Sequence, residues 1–341
     1  MKLRRLAAFG GITLAALGAG IAVRSFLPQH LISTEEYEKY YQQAENKRSS
    51  SEGAVIPRAQ DASFPTIEVT FLRCGSVTIS EGLAVRGGSV FTPCVIAYSA
   101  VLVRHPQGTF LYDTGLCTDI KQFLMDQTLF FRKTFGSFTL EQPISSHLER
   151  LGMTPGDLDF ILLSHLHWDH VSGIPDLPSV PLRINRVEYD AAKQGLFARQ
   201  NALVPRLMGK NPMQLFDCIG PAYEGFRSSY DLFGDGSIIV VPLPGHTAGQ
   251  VGMFINRANG SRLFLLGDAV WVSENYLRPA TMHPFFWLRV TSDDATACQT
   301  LIELYHFSRQ HPEVPLIGMH DAAMQEAFTK VEQPLRMQAH S

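Results

Sequence analysis

The sequence predicts an α/β protein built as a four-layer αββα sandwich, in which two β-sheets pack face to face with helices on both outer surfaces. Short segments rich in β-branched and aromatic residues recur from Phe64 onward, and turn residues separate them. These segments fall into two halves, and segments with helical spacing close each half. Two strand-rich halves, each with its own helices, therefore favour two packed sheets with the helices outside.

The first half begins with strands. Residues 65–75 and 94–115 have the composition of β-strands, and the tripeptide 106–108 (Pro-Gln-Gly) marks a hairpin turn within the second segment. A helical pattern follows at 139–153. The apolar run that begins the segment 160–165 then predicts a buried strand.

The second half has a similar order of elements. Residues 237–247 and 251–271 predict strands, and the tripeptide 258–260 (Ala-Asn-Gly) marks a tight turn inside the second segment. The remaining predicted elements are a helix at 294–311, a strand at 314–320 and a helix at 322–331.

The bulk composition is that of an ordinary globular chain. Its 341 residues are 45% hydrophobic and 18% charged, and the formal net charge is −3. This balance excludes the basic surface that nucleic-acid binding requires. None of the five cysteines forms a C-x-x-C pair, which argues against a disulfide scaffold and against a cysteine-based zinc site.

Residues 1–61 differ from the rest of the chain. Lys2, Arg4 and Arg5 precede the uncharged run 6–23, which is typical of a segment that directs export. The positive charges before this run place the N-terminus in the cytoplasm and the remaining chain outside. We therefore predict a signal or membrane-anchor segment at 1–24, a polar linker at 25–61 and a folded domain at 62–341. The domain would be periplasmic in a bacterium, and a cleaved signal is the alternative to an anchor.

Seven potential metal ligands follow the ends of predicted strands. In an extended loop, alternate residues share a side, so the first three can point the same way. Imidazole and carboxylate groups are good ligands for zinc, and seven of them exceed what one four-coordinate ion uses. We therefore predict two zinc ions, or two other divalent metals, rather than a chance cluster of surface histidines. The ligands are His165, His167, Asp169, His170, His246, Asp268 and His320.

The segments around these ligands resemble, in order, the motifs of the metallo-β-lactamase-fold hydrolases. The matching stretches are HLHWDH (165–170), PGHTAGQ with His246, GDA with Asp268 and GMHD with His320, within residues 64–331. The resemblance implies that His165, His167 and His246 bind one zinc, that Asp169, His170 and His320 bind the second, and that Asp268 bridges them.

The stretch LYDTG, which contains Asp113, matches the same family. The resemblance implies that this aspartate lies behind a metal-bound histidine and fixes its ring and tautomer. The alternative interpretation is that Asp113 belongs only to the turn that closes a strand.

Two further stretches resemble the N-acyl homoserine lactonase branch. They are GDAVWVSENYLRP, beginning at Gly267, and VEYDAAK at 187–193. One position differs from the lactonases. Their tyrosine, which hydrogen-bonds the substrate carbonyl, aligns with Trp271 in this chain. A tryptophan can donate only through its indole N–H. The resemblance implies hydrolysis of a lactone or carboxylic ester by a metal-bridging hydroxide, with Trp271 near the carbonyl and Asp169 passing a proton to the leaving oxygen.

The expected partners are a small hydrophobic ester or lactone and, through the N-terminal segment, a membrane. Residues 123–138 and 282–290 are rich in Phe, Leu and Trp and predict a hydrophobic substrate pocket, a membrane contact or a dimer contact. One alternative function is a thioester hydrolase of the glyoxalase II type, which would use basic residues near the C-terminus, where Lys330 and Arg336 lie. The other is a non-enzymatic, membrane-anchored metal-binding scaffold.

Overall fold

The computed structural model describes residues 64–339, and side chains as far as residue 332. The predicted export segment at 1–24 and the polar linker at 25–61 lie outside the described residues. Within the described part of the chain, none of the helices combines the length and the apolar character needed to cross a bilayer.

The strands form two sheets. The larger sheet has seven strands in the order β4-β1-β2-β3-β5-β6-β7, and the smaller has five in the order β12-β11-β10-β9-β8. The strands of the larger sheet are β1 (Glu68–Ser80), β2 (Pro93–His105), β3 (Gly108–Tyr112), β4 (Thr139–Leu140), β5 (Phe160–Leu162), β6 (Leu182–Asn185) and β7 (Met213–Phe216). Those of the smaller sheet are β8 (Tyr230–Asp231), β9 (Ile238–Pro242), β10 (Val251–Asn256), β11 (Arg262–Leu265) and β12 (Leu316–Ile317).

Short helices connect the strands, and two long helices lie near the C-terminus. The helices are α1 (Glu81–Ala84), α2 (Ile120–Phe123), α3 (Leu129–Thr134), α4 (Ile144–Arg150), α5 (Trp168–Val171), α6 (Arg186–Lys193), α7 (Leu203–Met208), α8 (Ser273–Leu277), α9 (Pro284–Val290), α10 (Asp294–Gln310) and α11 (Ala322–Ala339).

Strand β9 shows how the layers are built. Ile238 and Val240 face the core between the two sheets, where they join β2 and β3 residues such as Val101. Ile239 and Val241, which alternate with them, face the outer core under helix α10. Both faces of the strand are buried, which explains why its sequence is continuously apolar. A third core covers the outer face of the larger sheet, so the predicted four-layer αββα sandwich is confirmed.

The predicted strands and the two late helices are present, but three predicted segments differ in detail. Residues 139–153 are not helical throughout, because Thr139 and Leu140 pair with β1 and the helix begins only after Pro143. The two aromatic-rich segments, which the sequence marks only by composition, contain the short helices α3 and α9.

The strand directions bring the ligand-bearing loops to one edge of the sandwich. Strands β3 and β5 are parallel neighbours, and so are β11 and β12. Strand β10 is antiparallel to both β9 and β11, so β9 and β11 run in the same direction. The loops after these strands therefore collect the polar residues that follow them, as expected for loops on a rigid scaffold.

Candidate metal centre

The first ligand loop follows strand β5. Strand β5 ends at Leu162, but the Leu163 N–H still donates to the Arg183 carbonyl and the Ser164 carbonyl accepts from Val251. His167 has an extended backbone (φ −72°, ψ 156°) and precedes helix α5. This loop presents His165 and His167, and the first turn of α5 presents Asp169 and His170. His165 is fully buried, so its polar ring requires partners inside the protein.

The other three ligands follow β9, β11 and β12. Gly245, before His246, has φ +124°, and a Cβ there would lie 2.2 Å from the backbone nitrogen of Ala297. Only glycine therefore permits this close approach. Asp268 and His320 follow their strands through similarly short connections and are buried.

All seven predicted ligands lie together. The ligand atoms form three groups, each within 4.8 Å: His165 with His167 and His246, His165 with His170 and Asp268, and Asp169 with His170 and His320. The first and third groups are the two sets that the resemblance implied.

Asp268 lies between these two sets. Its Oδ2 is 3.6 Å from His246 Nε2 and 3.0 Å from His320 Nε2, and its Oδ1 is 3.2 Å from His170 Nε2. A carboxylate with one contact to the first set and two to the second is placed to bridge two metal ions.

Outer hydrogen bonds orient three of the imidazoles. The Nδ1 atom of His170 is 2.7 Å from Asp113 Oδ2, that of His320 is 2.7 Å from the Ala97 carbonyl, and that of His165 is 3.0 Å from Ser164 Oγ. Each ring therefore turns its Nε2 toward the centre. Within residues 64–332, Nε2 of His165 is buried without a hydrogen-bond partner, and Nε2 of His170 has the contact with Asp268 described above. A divalent metal fits the Nε2 of His165, because buried polar atoms otherwise have partners.

Asp113 combines a turn conformation with a contact to a candidate ligand. It has φ +57°, as the turn after β3 requires, and it is fully buried. Its carboxylate also accepts hydrogen bonds at 2.8 Å from both the backbone N–H and the hydroxyl of Ser164, as well as the contact from His170. The turn thus places an anion behind two candidate ligands, His165 through Ser164 and His170 directly.

Electrostatics divide the imidazoles into two kinds. Burial lowers the pKa of His167 to about 4 and that of His246 to about 3, and it holds the pKa of His165 well below its ordinary value. Burial also acts against protonation of His170 and His320, but Asp268 and its neighbouring carboxylates outweigh it, so the pKa of His320 rises to about 10. The first set is therefore neutral and ready to bind a cation, whereas the second must release protons to do so.

Sequence reasoning missed Glu188. Its buried carboxylate accepts hydrogen bonds from the backbone N–H of Leu166 at 2.9 Å and of Gly249 at 3.0 Å. It therefore fastens the loop of His165 and His167 to the loop of His246. Glu188 lies in the VEYDAAK stretch, but in sequence it looks like an ordinary acidic residue in the first turn of a helix.

A cleft leads to the candidate metal ligands. Its open volume is about 940 Å³, and its walls include His167, Asp169, His246, Asp268 and His320. Apolar side chains form much of the remaining wall, among them Val77, Ile79, Ile96, Phe135, Phe286 and Val290.

Two aromatic donors also line the cleft, beside His320. The Trp271 ring lies 5.6 Å from the His320 ring, and the Tyr98 ring lies 5.5 Å from it. The indole Nε1 of Trp271 is buried and has no hydrogen-bond partner among the described residues. Burial raises the pKa of Tyr98, so its hydroxyl stays protonated. Sequence reasoning missed Tyr98, since a tyrosine in an apolar strand carries no signal of its own.

An αββα sandwich with histidine- and aspartate-rich loops at one edge is the architecture of the metallo-β-lactamase fold. Comparison with known families gives the same result. A model of the metallo-β-lactamase superfamily matches residues 95–297, more than half of the chain. The chain therefore belongs to the metallo-β-lactamase superfamily.

The curated relatives share about a quarter of the aligned residues with this chain. The N-acyl homoserine lactonase of Bacillus thuringiensis subsp. kurstaki is 26% identical over 177 residues, 51% of this chain and 64% of the lactonase. The chain thus spans less than two thirds of that relative. A probable metallo-hydrolase of Mycobacterium tuberculosis is 27% identical over 227 residues, 62% of this chain and 66% of the relative.

Solved structures share the fold. A Bacillus thuringiensis lactonase with N-decanoyl-L-homoserine bound at its active site has a TM-score of 0.58 at 20% identity, covering 77% of this chain and 96% of the lactonase. A dizinc quorum-quenching lactonase in complex with a product has a TM-score of 0.51 at 19% identity, covering 76% of this chain and 89% of that one.

Proposed function

We propose that the protein is a zinc-dependent hydrolase that opens a lactone or cleaves a carboxylic ester of a hydrophobic substrate. The observation that carries this proposal is the cleft, because one cavity combines five of the seven candidate ligands with an apolar wall. A cleft with this lining suits a small molecule with an apolar portion. The similarity to lactonases supports the choice of an acyl–oxygen bond over other bonds.

The two sets of ligands would hold one divalent ion each, with Asp268 between them. Ions bound in this way would polarise a carbonyl and supply a hydroxide near neutral pH. The chain's own contribution is orientation, since Asp113, Ser164 and the Ala97 carbonyl hold three imidazoles in place.

Two side chains of the cleft would act on the substrate itself. Asp169 has 14% of its side chain exposed and lies 3.4 Å from His320, so its carboxylate can reach both the candidate metal site and the cleft. There it would accept the proton that the attacking water or hydroxide gives up and pass it to the leaving oxygen. Trp271 would donate its unpartnered indole N–H to the substrate carbonyl, in the place where lactonases use a tyrosine.

The two alternative functions receive less support. A thioester hydrolase of the glyoxalase II type would need a basic cluster near the C-terminus, and Lys330, one of the two basic residues there, pairs with Glu326 at 2.7 Å on the exposed surface of α11. A closed metal-binding scaffold does not require a cleft that reaches the ligands, whereas a catalytic metal site needs an open position.

A substrate panel tests the proposal. The zinc-loaded protein would be assayed with N-decanoyl-L-homoserine lactone, an aryl decanoate ester and the matching decanoyl thioester, with an Asp268→Ala variant as the inactive control. We expect the oxygen ester or the lactone to have the highest kcat/KM, and to lose activity in the control. A preference for the thioester, or equal rates in the control, would contradict the proposal.

We also propose that the N-terminal segment 1–24 exports the domain and anchors it to a membrane. The support is the sequence alone, namely the basic residues before the uncharged run 6–23. A reporter fused after Gln29 should be active only outside the cytoplasm, and the full chain should fractionate with membranes. A soluble mature protein that begins near residues 20–30 would assign the segment to a cleaved signal instead.

A further inference from the structure

Two short helices, α3 and α9, border the cleft and contact each other. Helix α3 contributes Phe131 to the cleft wall, Phe135 directly after α3 also lines it, and α9 contributes Phe286. The Phe135 and Phe286 rings are 6.0 Å apart. The helices therefore form one surface around the cleft, although they are distant in sequence.

This surface exposes large apolar side chains. Leu129 is 64% exposed, Phe130 52%, Leu288 76% and Met125 60%. The Phe130 ring lies 6.2 Å from that of Phe285 on the other helix. The Met125 carbonyl accepts a hydrogen bond from Arg132 at 3.4 Å, which places Met125 beside α3. Four exposed apolar side chains on or beside two contacting helices are unlike the scattered single residues that are normal on a protein surface.

The same surface is positively charged. Helix α3 carries Arg132 and Lys133, helix α9 carries Arg289, and neither helix contains an acidic residue. None of these three cations forms an ion pair with a described carboxylate, and the nearby Asp126 is already paired with Arg206. The two exposed acidic residues that follow α9 have other partners, because Asp293 caps helix α10 through Thr296 and Asp294 accepts a hydrogen bond from the Trp287 indole.

The three cations and the four apolar residues are together called the entrance rim. Arg289 links the two groups, because its guanidinium lies 4.2 Å from the Phe285 ring and 5.5 Å from the Phe130 ring. The members of the rim are Met125, Leu129, Phe130, Arg132, Lys133, Leu288 and Arg289.

We propose that the entrance rim docks on the surface of an anionic lipid membrane, so that the cleft opens toward the bilayer. Exposed Leu and Phe side chains can enter the boundary between headgroups and acyl chains, while Arg and Lys contact the anionic headgroups. A second copy of the chain suits this surface less well. A two-fold symmetric contact would place each patch against itself and bring like charges together. The proposal concerns binding and does not depend on the reaction.

Hydrogen exchange of the full chain, measured by mass spectrometry, tests this proposal. The comparison is between vesicles of phosphatidylcholine alone and vesicles that also contain phosphatidylglycerol. We expect exchange in residues 125–134 and 285–290 to slow on the anionic vesicles, while the segment around Ile219, which is 89% exposed, stays unchanged. Three basic residues near an anionic surface imply roughly 10²-fold stronger rim association with anionic than with neutral vesicles.

Matched variants separate the rim from the N-terminal segment, which remains in every variant. Replacing Arg132, Lys133 and Arg289 by Gln should abolish the protection of the rim. Replacing Arg186, Lys193 and Lys330 by Gln removes the same charge from ion pairs elsewhere and should leave it intact. Thermal unfolding checks that both variants are folded.

Three results would overturn the proposal. The first is an absence of rim protection on anionic vesicles. The second is equal protection on neutral vesicles. The third is protection that grows with protein concentration without vesicles, which would assign the rim to a contact between two copies of the chain. Failure of the substrate panel would not affect this test, because it measures binding alone.

Discussion

The candidate metal centre and the entrance rim are neighbours built in opposite ways. Trp168, between two ligands of the centre, has its ring 5.9 Å from that of Phe131 in helix α3. At the centre, His165 is fully buried and Asp268 is 3% exposed, and outer hydrogen bonds hold the surrounding rings. At the rim, Leu288 is 76% exposed and its helix has only seven residues. The proposed reaction would therefore depend on a buried polar network, whereas access to the cleft would depend on exposed short helices.

The comparison implies that changes at the centre should affect metal binding and activity strongly, and that changes of the exposed apolar residues at the rim should leave metal binding unaltered. The largest effect is expected from the loss of the Asp268 carboxylate, which is proposed to bridge the two ions. Asp268→Ala should reduce the metal content from about two ions to one or none. It should also lower kcat by about 10³-fold or more, equivalent to about 4 kcal/mol. Elemental analysis and steady-state kinetics measure both effects.

Asp190→Ala is the matched control for this change. Asp190 is a half-exposed carboxylate that pairs with Lys193 on helix α6, so its loss should change neither quantity. Two tightly bound ions in Asp268→Ala would refute the bridging role.

The next effect concerns the carboxylate behind His170. Asp113→Ala should keep much of the metal but weaken its affinity by about 10–100-fold, because the ring loses the partner that fixes its tautomer. Competition with a chelator measures this affinity. Asp157→Ala, at an exposed turn capped by its own hydrogen bonds to Thr154, serves as the control. If both variants bind metal as the unmodified chain does, Asp113 belongs only to the turn.

Glu188 tests whether the two ligand loops are fastened to each other. Glu188→Gln leaves one carbonyl oxygen for two backbone N–H donors, and an unsatisfied buried group costs about 1–3 kcal/mol. Thermal or denaturant unfolding should show this loss of stability together with weaker metal binding. Glu149→Gln, on the exposed face of helix α4, should be neutral. Equal stability of the two variants would mean that the loops hold their positions without Glu188.

Substitution of Trp271 should have a smaller effect, which is limited to substrate turnover. Trp271→Phe removes the indole N–H but keeps an aromatic wall, so kcat should fall about tenfold on the preferred ester or lactone, the value of one hydrogen bond. Trp271→Tyr restores a donor and should raise turnover of a homoserine lactone. Metal content should be unchanged in both variants. If Trp271→Phe changes only KM, then Trp271 is a wall of the pocket rather than a donor.

The smallest effect is expected at the rim. Leu129→Ser and Leu288→Ser should change the free energy of unfolding by less than about 0.5 kcal/mol, because both side chains are already exposed. Their metal content should equal that of the unmodified chain. A clear loss of stability would show that the rim is packed in solution, for example against another copy of the chain.

Much of the fold and the centre could be predicted from sequence because the signals are local. The segment 237–247 begins with an apolar run and then reaches a glycine and His246, so one short segment reveals both the strand and the ligand after it. The boundaries at 139–153 could not be predicted, since Thr139 and Leu140 become a strand only through pairing with β1, far away in sequence. The helices α3 and α9 were missed because aromatic-rich segments of six or seven residues have no clear period.

The sequence by itself determined the αββα architecture, the superfamily motifs and the seven candidate ligands, because apolar runs and ligand spacing are properties of neighbouring residues. Only the tertiary structure decided what holds those ligands and what surrounds them. Glu188 fastens two loops through Leu166 and Gly249, which are 83 positions apart in the chain (249 − 166), and Tyr98 meets His320 across 222 positions (320 − 98). The entrance rim likewise exists only because α3 and α9 pack together. Such contacts come from the packing of whole sheets and helices, and no local pattern records them.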